Sequence, residues 1–397
     1  MKIKLSAFAI ILVLAVGVGQ VRADDEADDD QPATGPSAAG EAVETPSDPS
    51  SWVHDESEPF VLSGSAMHGD GMPGMGCGGN CGSECGGDCG GCECCTPPWM
   101  HMSSAYGDFL YLRPRSAEVA FAVPIDGPIV QPPTANPIQI GRTTNVDPGY
   151  EPGFRAGFWR ALSPCSSIGG SYTRFESNTF NSVSTDAPNV IRSLVSHPSS
   201  QSASTDFLSA KAGYGLDFDF ADADFRHIFV HGNNYAVNYL LGGRYARLSQ
   251  DFESHFFDNG TETVRNCIGF DGGGIRFGLD GQRFAPNCGL MAFCRGTASF
   301  VAGEFRSQYF QGQSFDPSVV DTTWKAGRIV PILDLEIGAG WTSPKQHVRL
   351  MAGYMVSSWF NTVKVQDFVH AVQDNNFTQL SNTLTFDGLT ARAEFRW

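Results

Sequence analysis

The sequence has little charge, and it lacks any long apolar run beyond its first 23 residues. Only 17% of the 397 residues are charged, and the net charge is −17. Since a membrane-spanning helix needs about 20 predominantly apolar residues, none is predicted after residue 23. An acidic chain with so few Lys and Arg residues also lacks the basic patch of a nucleic-acid-binding protein, so we expect no nucleic-acid partner.

Recognisable catalytic motifs are absent as well. The chain has no G-x-S-x-G elbow, no H-E-x-x-H pair and no P-loop. One acidic cluster, formed by Asp217, Asp219, Asp222 and Asp224, could bind Ca²⁺, but it lacks the spacing and glycine of a calcium loop, and a solvated strand end fits it better. We therefore predict no catalytic residues, no metal, no cofactor and no enzymatic activity.

The N-terminus has the features of a secretory signal. Lys2 and Lys4 precede an apolar stretch over residues 8–18, and Ala23 ends a plausible cleavage site. The stretch is short for a membrane anchor, and an acidic segment follows it at once. Residues 1–23 are therefore predicted to be a signal peptide, which implies export from the cytoplasm.

Residues 24–103 form an acidic, low-complexity tail. They contain 16 acidic residues and no Lys or Arg, whereas residues 104–397 contain 27 acidic and 23 basic residues. Such a composition cannot bury a core, so we predict a disordered periplasmic tail followed by a folded domain over 104–397.

A Cys/Gly tract within this tail contains seven of the eleven cysteines, which are Cys77, Cys81, Cys85, Cys89, Cys92, Cys94 and Cys95. In an exported protein these residues are candidates for disulfides or cross-links, and their C-x₃-C spacings do not match a paired zinc site. An odd number leaves at least one thiol for an intermolecular bridge, unless it pairs with a cysteine of the folded domain. A metal site and a flexible spacer without a specific role remain open alternatives.

Period-2 alternation, the signature of a half-buried β-strand, dominates the rest of the chain. The clearest segments are 208–220, 237–245, 333–341, 348–356 and 389–397. Further strands are predicted at 105–113, 152–161, 166–177, 266–281 and 288–306, with short ones at 116–123 and 138–145. These segments indicate ten strands, and with the short ones about twelve, in a single antiparallel transmembrane β-barrel; 10 or 14 strands are alternatives. Residues 178–204 and 307–325 are predicted outer loops.

Alternation alone does not tell which face is turned to lipid. The strands are long enough to cross a membrane, and aromatic residues end several apolar faces, which favours an apolar outer face. Charged residues on the opposite face should then line the pore: Arg155, Lys211, Asp217, Asp219, Arg244, Arg276, Arg295, Asp334, Glu336 and Arg349. The arginines could form an anion-selective strip, or they could pair with the acids and plug the lumen.

Several segments resemble, in order and spacing, a known family. They are Gly107–Pro114, Pro152–Phe158, Ser171–Phe175, Leu241–Ala246, Asp271–Asp280, Asp334–Trp341, Ala352–Tyr354 and Phe386–Trp397. Together they are similar to the Legionella-type pore-forming outer-membrane β-barrel proteins, in the branch found in planctomycete-like bacteria. The resemblance covers about residues 105–397 and implies an outer-membrane barrel with pore-forming activity and no catalytic residues. The Cys-rich tail lies outside it.

The resemblance also implies an assembly signal. Phe395 and Trp397 look like the C-terminal aromatic residues read by the barrel-assembly machinery. Two functional hypotheses follow: a passive pore for small hydrophilic solutes or ions, and a structural envelope protein whose barrel anchors a cross-linking Cys-rich tail. The expected partners are outer-membrane lipid, the assembly machinery, and further copies or disulfide-linked envelope proteins.

Overall fold

A closed antiparallel barrel dominates the computed structural model, which describes residues 97–127, 137–198, 207–258, 260–285, 288–314 and 316–397. The elements are β1 (Ser104–Arg115), β2 (Val119–Ile125), β3 (Thr144–Val146), β4 (Glu151–Ser163), β5 (Ser166–Ser184), β6 (Val190–Ser193), β7 (Ser209–His231), β8 (Tyr235–Phe257), β9 (Thr261–Phe284), β10 (Leu290–Gln313), β11 (Val320–Thr342), β12 (Val348–Thr362), α1 (Val365–Gln373) and β13 (Asn382–Arg396). Within these ranges, ten strands close in the order β1-β13-β12-β11-β10-β9-β8-β7-β5-β4. The predicted all-β barrel is confirmed.

The strand count corrects the expectation of twelve. The short segments predicted at 116–123 and 138–145 correspond to β2 and β3, which pair in a separate sheet of order β3-β2-β6 and not in the barrel wall. The predicted outer loops are also shorter than expected, because β5, β10 and β11 extend far into 178–204 and 307–325. Of the predicted tail, only residues 97–103 are described, and the signal peptide and Cys tract lie outside the described residues.

Strands β7–β11 are 23 or 24 residues long, about twice the 9–11 residues that cross a membrane. Short turns join β4 to β5, β7 to β8, β9 to β10 and β11 to β12 at the barrel end that also holds Ser104 and Arg396. Short turns and both termini face the periplasm in outer-membrane barrels. The opposite half of the long strands therefore extends beyond the membrane on the extracellular side.

A tyrosine belt marks the boundary between these two halves on the outer wall. Tyr172 donates its hydroxyl to Asp219 at 2.6 Å, and Tyr245 donates to Asp271 at 3.0 Å. In the strand register both tyrosines lie opposite Ala221, one from β5 and one from β8, so they share one level. Aromatic girdles of this kind sit at membrane–water interfaces.

On each long strand, the face that carries the apolar residues changes at the level of this belt. On the periplasmic side of β8, the outer face carries Val237, Tyr239 and Leu241 and meets lipid, whereas beyond Tyr245 it carries charged and polar residues. The inner face changes in the opposite sense, from buried Arg244 to buried Leu248, Phe252 and Phe256. Because water surrounds the extracellular half, that half buries an apolar core as a soluble barrel does.

Segments from the extracellular loops complete this apolar core. Helix α1 places Val365, Phe368, Val369 and Val372 on one face, and all four are buried. Gln250, on the inner face of β8, donates to the carbonyl of Val363 just before the helix at 2.8 Å. The sheet containing β2 packs in the same cluster. In the described part of the chain no helix is long and apolar enough to span a membrane.

Candidate functional site

The periplasmic half of the lumen contains a layer of buried ions, which we call the charged layer. Its side chains come from nine of the ten barrel strands, all except β5, and they alternate with the lipid-facing residues. Among the described residues the layer comprises seven acids and eight arginines: Asp108, Asp222, Asp224, Asp280, Asp334, Glu336, Glu394, Arg155, Arg226, Arg244, Arg276, Arg295, Arg349, Arg392 and Arg396.

One group of the charged layer is centred on Asp108 of β1. Arg392 of the neighbouring strand β13 donates to both carboxylate oxygens of Asp108, at 2.7 and 2.8 Å. Arg155 of β4 binds the same carboxylate and reaches Glu336 of β11 at 2.9 Å. Because β4 and β11 lie on different sides of the barrel, Arg155 crosses the lumen.

A second group is centred on Arg244 of β8. It donates to both oxygens of Asp222 at 2.7 and 2.9 Å and to Asp334 of β11 at 2.6 Å. Arg276 of β9 contacts Asp222 at 3.3 Å and also binds Asp224. Bidentate arginine–carboxylate pairs of this kind are directional and strong, so they hold the strands across the lumen at fixed positions.

Little space remains between the two groups. The cavity between them has a volume of about 40 Å³ and is lined by both ions and rings, including Arg155, Arg244, Glu336, Tyr106 and Trp159. Such a volume holds a few water molecules. In the described ranges no group of His, Cys, Asp and Glu side chains is arranged to hold a metal ion.

Seven of the predicted pore-lining residues lie on the inner face, within the charged layer. They are Arg155, Arg244, Arg276, Arg295, Asp334, Glu336 and Arg349. Their arginines do not form a free basic strip, because each lies within 4.0 Å of a carboxylate. Of the two alternatives left open by the sequence, the geometry has the arginines paired with acids.

The other three predicted pore-lining residues, Lys211, Asp217 and Asp219, require a correction because they point outward. Asp219 accepts the hydroxyl of Tyr172 on the outer wall, and the ammonium of Lys211 lies 5.1 Å from the ring of Phe257. These residues belong to the extracellular half of β7, where the apolar face is the inner one. The acidic cluster of four aspartates is accordingly divided, since Asp222 and Asp224 point inward.

Sequence reasoning missed several members of the charged layer, notably Asp108, Asp222, Asp280 and Arg392. The period of two residues does place Asp222 on the same face as Phe218 and Phe220, but the sequence analysis predicts that this face meets lipid, so the alternation did not identify Asp222 as an inward residue. For Asp108 the signal is weaker, since a lone acid in an apolar strand reads equally well as an exposed residue.

The chain before β1 covers the periplasmic end of the barrel, and we call residues 97–103 the mouth segment. The ring of Trp99 contacts that of His231 in a tilted arrangement, with ring centroids 4.3 Å apart, and Trp99 packs beside a buried cluster. Arg396 donates to the carbonyl of Met100 at 2.7 Å, and His101 is hydrogen-bonded to Asn238 at 3.0 Å. Phe395 and Trp397, the predicted assembly signal, are exposed on the outer wall at the same end, with ring centroids 5.9 Å apart.

Comparison with known protein families identifies the barrel. The profile described as Legionella pneumophila major outer membrane protein precursor matches residues 97–396. The chain belongs to this family. Its outer-membrane localisation follows, in agreement with the fold and with the resemblance noted in the sequence. No curated protein matches the chain.

Solved structures show only distant likenesses. The outer membrane protease OmpT from Escherichia coli aligns with a TM-score of 0.41 and 11% identity, covering 75% of this chain and 97% of that one. A Pseudomonas aeruginosa FadL homologue aligns with a TM-score of 0.24 and 8% identity, covering 74% and 90%. The Ralstonia pickettii toluene transporter TbuX aligns with a TM-score of 0.23 and 8% identity, covering 76% of this chain and 91% of that one. At these values the likenesses carry no argument about activity.

Proposed function

We propose that this protein is a structural outer-membrane barrel with a closed lumen, which anchors its acidic, Cys-rich N-terminal segment at the periplasmic face of the outer membrane. The observation that carries this proposal is the filled lumen. The charged layer occupies its periplasmic half, and the apolar core with α1 occupies its extracellular half.

The sequence alone favours a passive pore for small hydrophilic solutes or ions. An open pore needs a continuous polar route, and here the route is interrupted twice. Solutes would have to separate paired ions such as Arg244 and Asp222, and then cross an apolar core that includes Phe252 and Phe270. Removing ions from compensated pairs and passing polar solutes through apolar side chains are both costly. We therefore favour a closed membrane anchor over a passive pore as the function of this barrel.

Conductance measurements on the full-length mature protein in planar lipid bilayers test this proposal. We expect no stable single-channel steps from protein that is β-rich and heat-modifiable on gels. A variant in which residues 364–381 are replaced by a short Gly/Ser linker and Arg155 and Arg244 by Ala supplies a comparison, because it removes α1 from the extracellular half and two arginines from the charged layer, and it is used only if it remains β-rich and heat-modifiable. Stable steps from the unmodified protein would overturn the closed-lumen proposal and establish the pore.

The anchoring role needs a separate test in cells. Deleting residues 77–95 leaves every barrel residue in place and removes the seven cysteines of the tail. We expect such cells to become sensitive to detergent and chelator while the barrel remains in the outer membrane at normal abundance. Unchanged envelope resistance at equal abundance would contradict the anchoring role.

A further inference from the structure

The turn between β4 and β5 contains Cys165, which is 2% exposed and takes part in a disulfide. The other cysteines of the described ranges, Cys267, Cys288 and Cys294, carry free thiols. The chain has eleven cysteines, and the remaining seven fall between residues 77 and 95. The partner of Cys165 is therefore to be sought in the Cys tract of the tail.

The mouth segment, which follows this tract in the sequence, lies against the same turn. The backbone N–H of His101 donates to the carbonyl of Pro164 at 2.9 Å, directly beside Cys165. The carbonyl of Pro98 lies 3.5 Å from Arg349, and Met100 is held by Arg396, so the segment is fixed at several points. The chain thus enters the barrel next to the buried sulfur.

Chain length then limits the choice of partner. Cys92, Cys94 and Cys95 precede His101 by nine, seven and six residues. Such a stretch spans at most about 20–30 Å when extended, which is ample to reach the neighbouring turn. Closing a short loop costs less entropy than closing a long one, so these three cysteines are favoured over the earlier four.

We infer that Cys165 forms a disulfide with one of Cys92, Cys94 and Cys95, and that this bond fastens the Cys tract to the periplasmic mouth of the barrel. The bond also accounts for the odd number of cysteines in the tract. With one of the seven joined to Cys165, six remain, which can pair among themselves without a leftover thiol. The inference does not depend on whether the lumen conducts.

The chemistry balances with an ordinary periplasmic oxidant. Two thiols lose two protons and two electrons as the S–S bond forms, and the electrons reduce the disulfide of a periplasmic thiol–disulfide oxidoreductase to a dithiol. An oxidising compartment maintains such bonds. Because Cys165 is 2% exposed, its sulfur is shielded from soluble reductants.

Peptide mapping of the unmodified protein tests the inference without any variant. The protein is purified from cells with free thiols blocked by iodoacetamide, then unfolded without reductant and digested with trypsin. Cleavage after Arg160 and Arg174 releases the peptide that contains Cys165. We expect it joined to the tail peptide, which ends at Arg115 because the tail has no basic residue and Pro114 blocks cleavage after Arg113.

A second digestion assigns the partner. Cleavage after Glu84 and Glu93 separates a peptide with Cys94 and Cys95 from one with Cys85, Cys89 and Cys92, and fragmentation of the linked peptide in the mass spectrometer then identifies the bonded cysteine. The linked species must migrate as a monomer on non-reducing gels. Finding Cys165 alkylated, linked to Cys288, linked only to the four earlier cysteines, or present only in dimers would overturn the inference.

Substitutions supply an independent readout. In Cys165→Ser, one additional tail cysteine should become alkylatable, and chymotryptic cleavage after Trp99 should accelerate severalfold because the mouth segment loses its covalent fastening. Cys288→Ser is the matched control, since Cys288 lies in another turn at the same end and carries a free thiol. Equal thiol counts and cleavage rates in both variants would contradict the proposed bond.

Discussion

Arg244 and Asp222 face each other from neighbouring strands inside the barrel, with Arg244 Nε 2.7 Å from Asp222 Oδ1 and at most 4% of either side chain exposed. The same guanidinium binds Asp334 at 2.6 Å. One arginine therefore compensates two carboxylates that are removed from bulk water. This relationship makes the charged layer a structural element whose members depend on one another.

We predict that Arg244→Met lowers the free energy of unfolding by about 3–5 kcal/mol, because it leaves buried carboxylates without a counter-ion. Urea titration of the detergent-solubilised barrel, followed by gel mobility, measures the loss. Arg247→Met is the control, since Arg247 is 61% exposed and lies 3.9 Å from Asp271 on the outer wall. Its cost should stay below about 1 kcal/mol. Equal losses in the two variants would refute the structural role of the layer.

The reversal of polarity along the strands leads to a second prediction. Phe252 is 1% exposed in the core of the extracellular half, whereas Phe277 is 44% exposed on the lipid face. Phe252→Ala should cost about 3–5 kcal/mol because it leaves a cavity. Phe277→Ala, in contrast, exposes a smaller side chain to lipid and should cost less than half as much. The same urea titration compares them, and a larger effect at Phe277 would contradict the assigned faces.

The sequence predicts most of the barrel strands but few of the side chains that occupy the lumen. Alternation over 208–220 identified β7 correctly, but it could not tell which face was inward, because the answer depends on whether water or lipid lies outside at that level. The apolar face of Phe218 therefore turned out to be the inner one, and Asp219 the outer one.

Helix α1 was missed although its signal was present, since Val365, Phe368, Val369 and Val372 follow helical spacing. The partners within the charged layer could not have been predicted. Arg155 and Glu336 are 181 residues apart, and only the closed barrel brings them together.

The membrane boundary can be located with native cysteines. Cys267 lies on the outer wall of β9 six residues on the extracellular side of Gly273, which is opposite Tyr245 in the belt. Cys294 lies opposite Ile337 at the level of the lipid-facing band and is 6% exposed, so both its level and its burial protect it from a reagent in water. A membrane-impermeant maleimide should therefore label Cys267 in intact cells and leave Cys294 unlabelled until the protein is unfolded. Cys267→Ser identifies the labelled site. Labelling of Cys294 in intact cells would show that the lipid-facing band of the outer wall is assigned wrongly.

The mouth segment should respond to acid through His101, which precedes β1 and is 6% exposed. Burial, reinforced by nearby Arg226, lowers the pKa of this imidazole from 6.5 to about 3. Below pH 6.5, His101 therefore binds a proton in the unfolded state but stays neutral in the folded state. The stabilisation from neutral His101 is complete above that pH and is lost as the pH falls toward 3, by about 1.4 kcal/mol per pH unit.

Replacing His101 by Gln removes this titration while keeping a polar side chain near Asn238. The unfolding free energy of the unmodified protein relative to His101→Gln should therefore fall by about 2 kcal/mol between pH 7.5 and pH 5. His255→Gln, on the outer wall of the extracellular half, serves as the control for the general effect of losing a histidine. A difference between the unmodified protein and His101→Gln that stays constant with pH would mean that His101 takes up its proton at the same pH in the folded barrel as in the unfolded chain, which would contradict the effect of its burial.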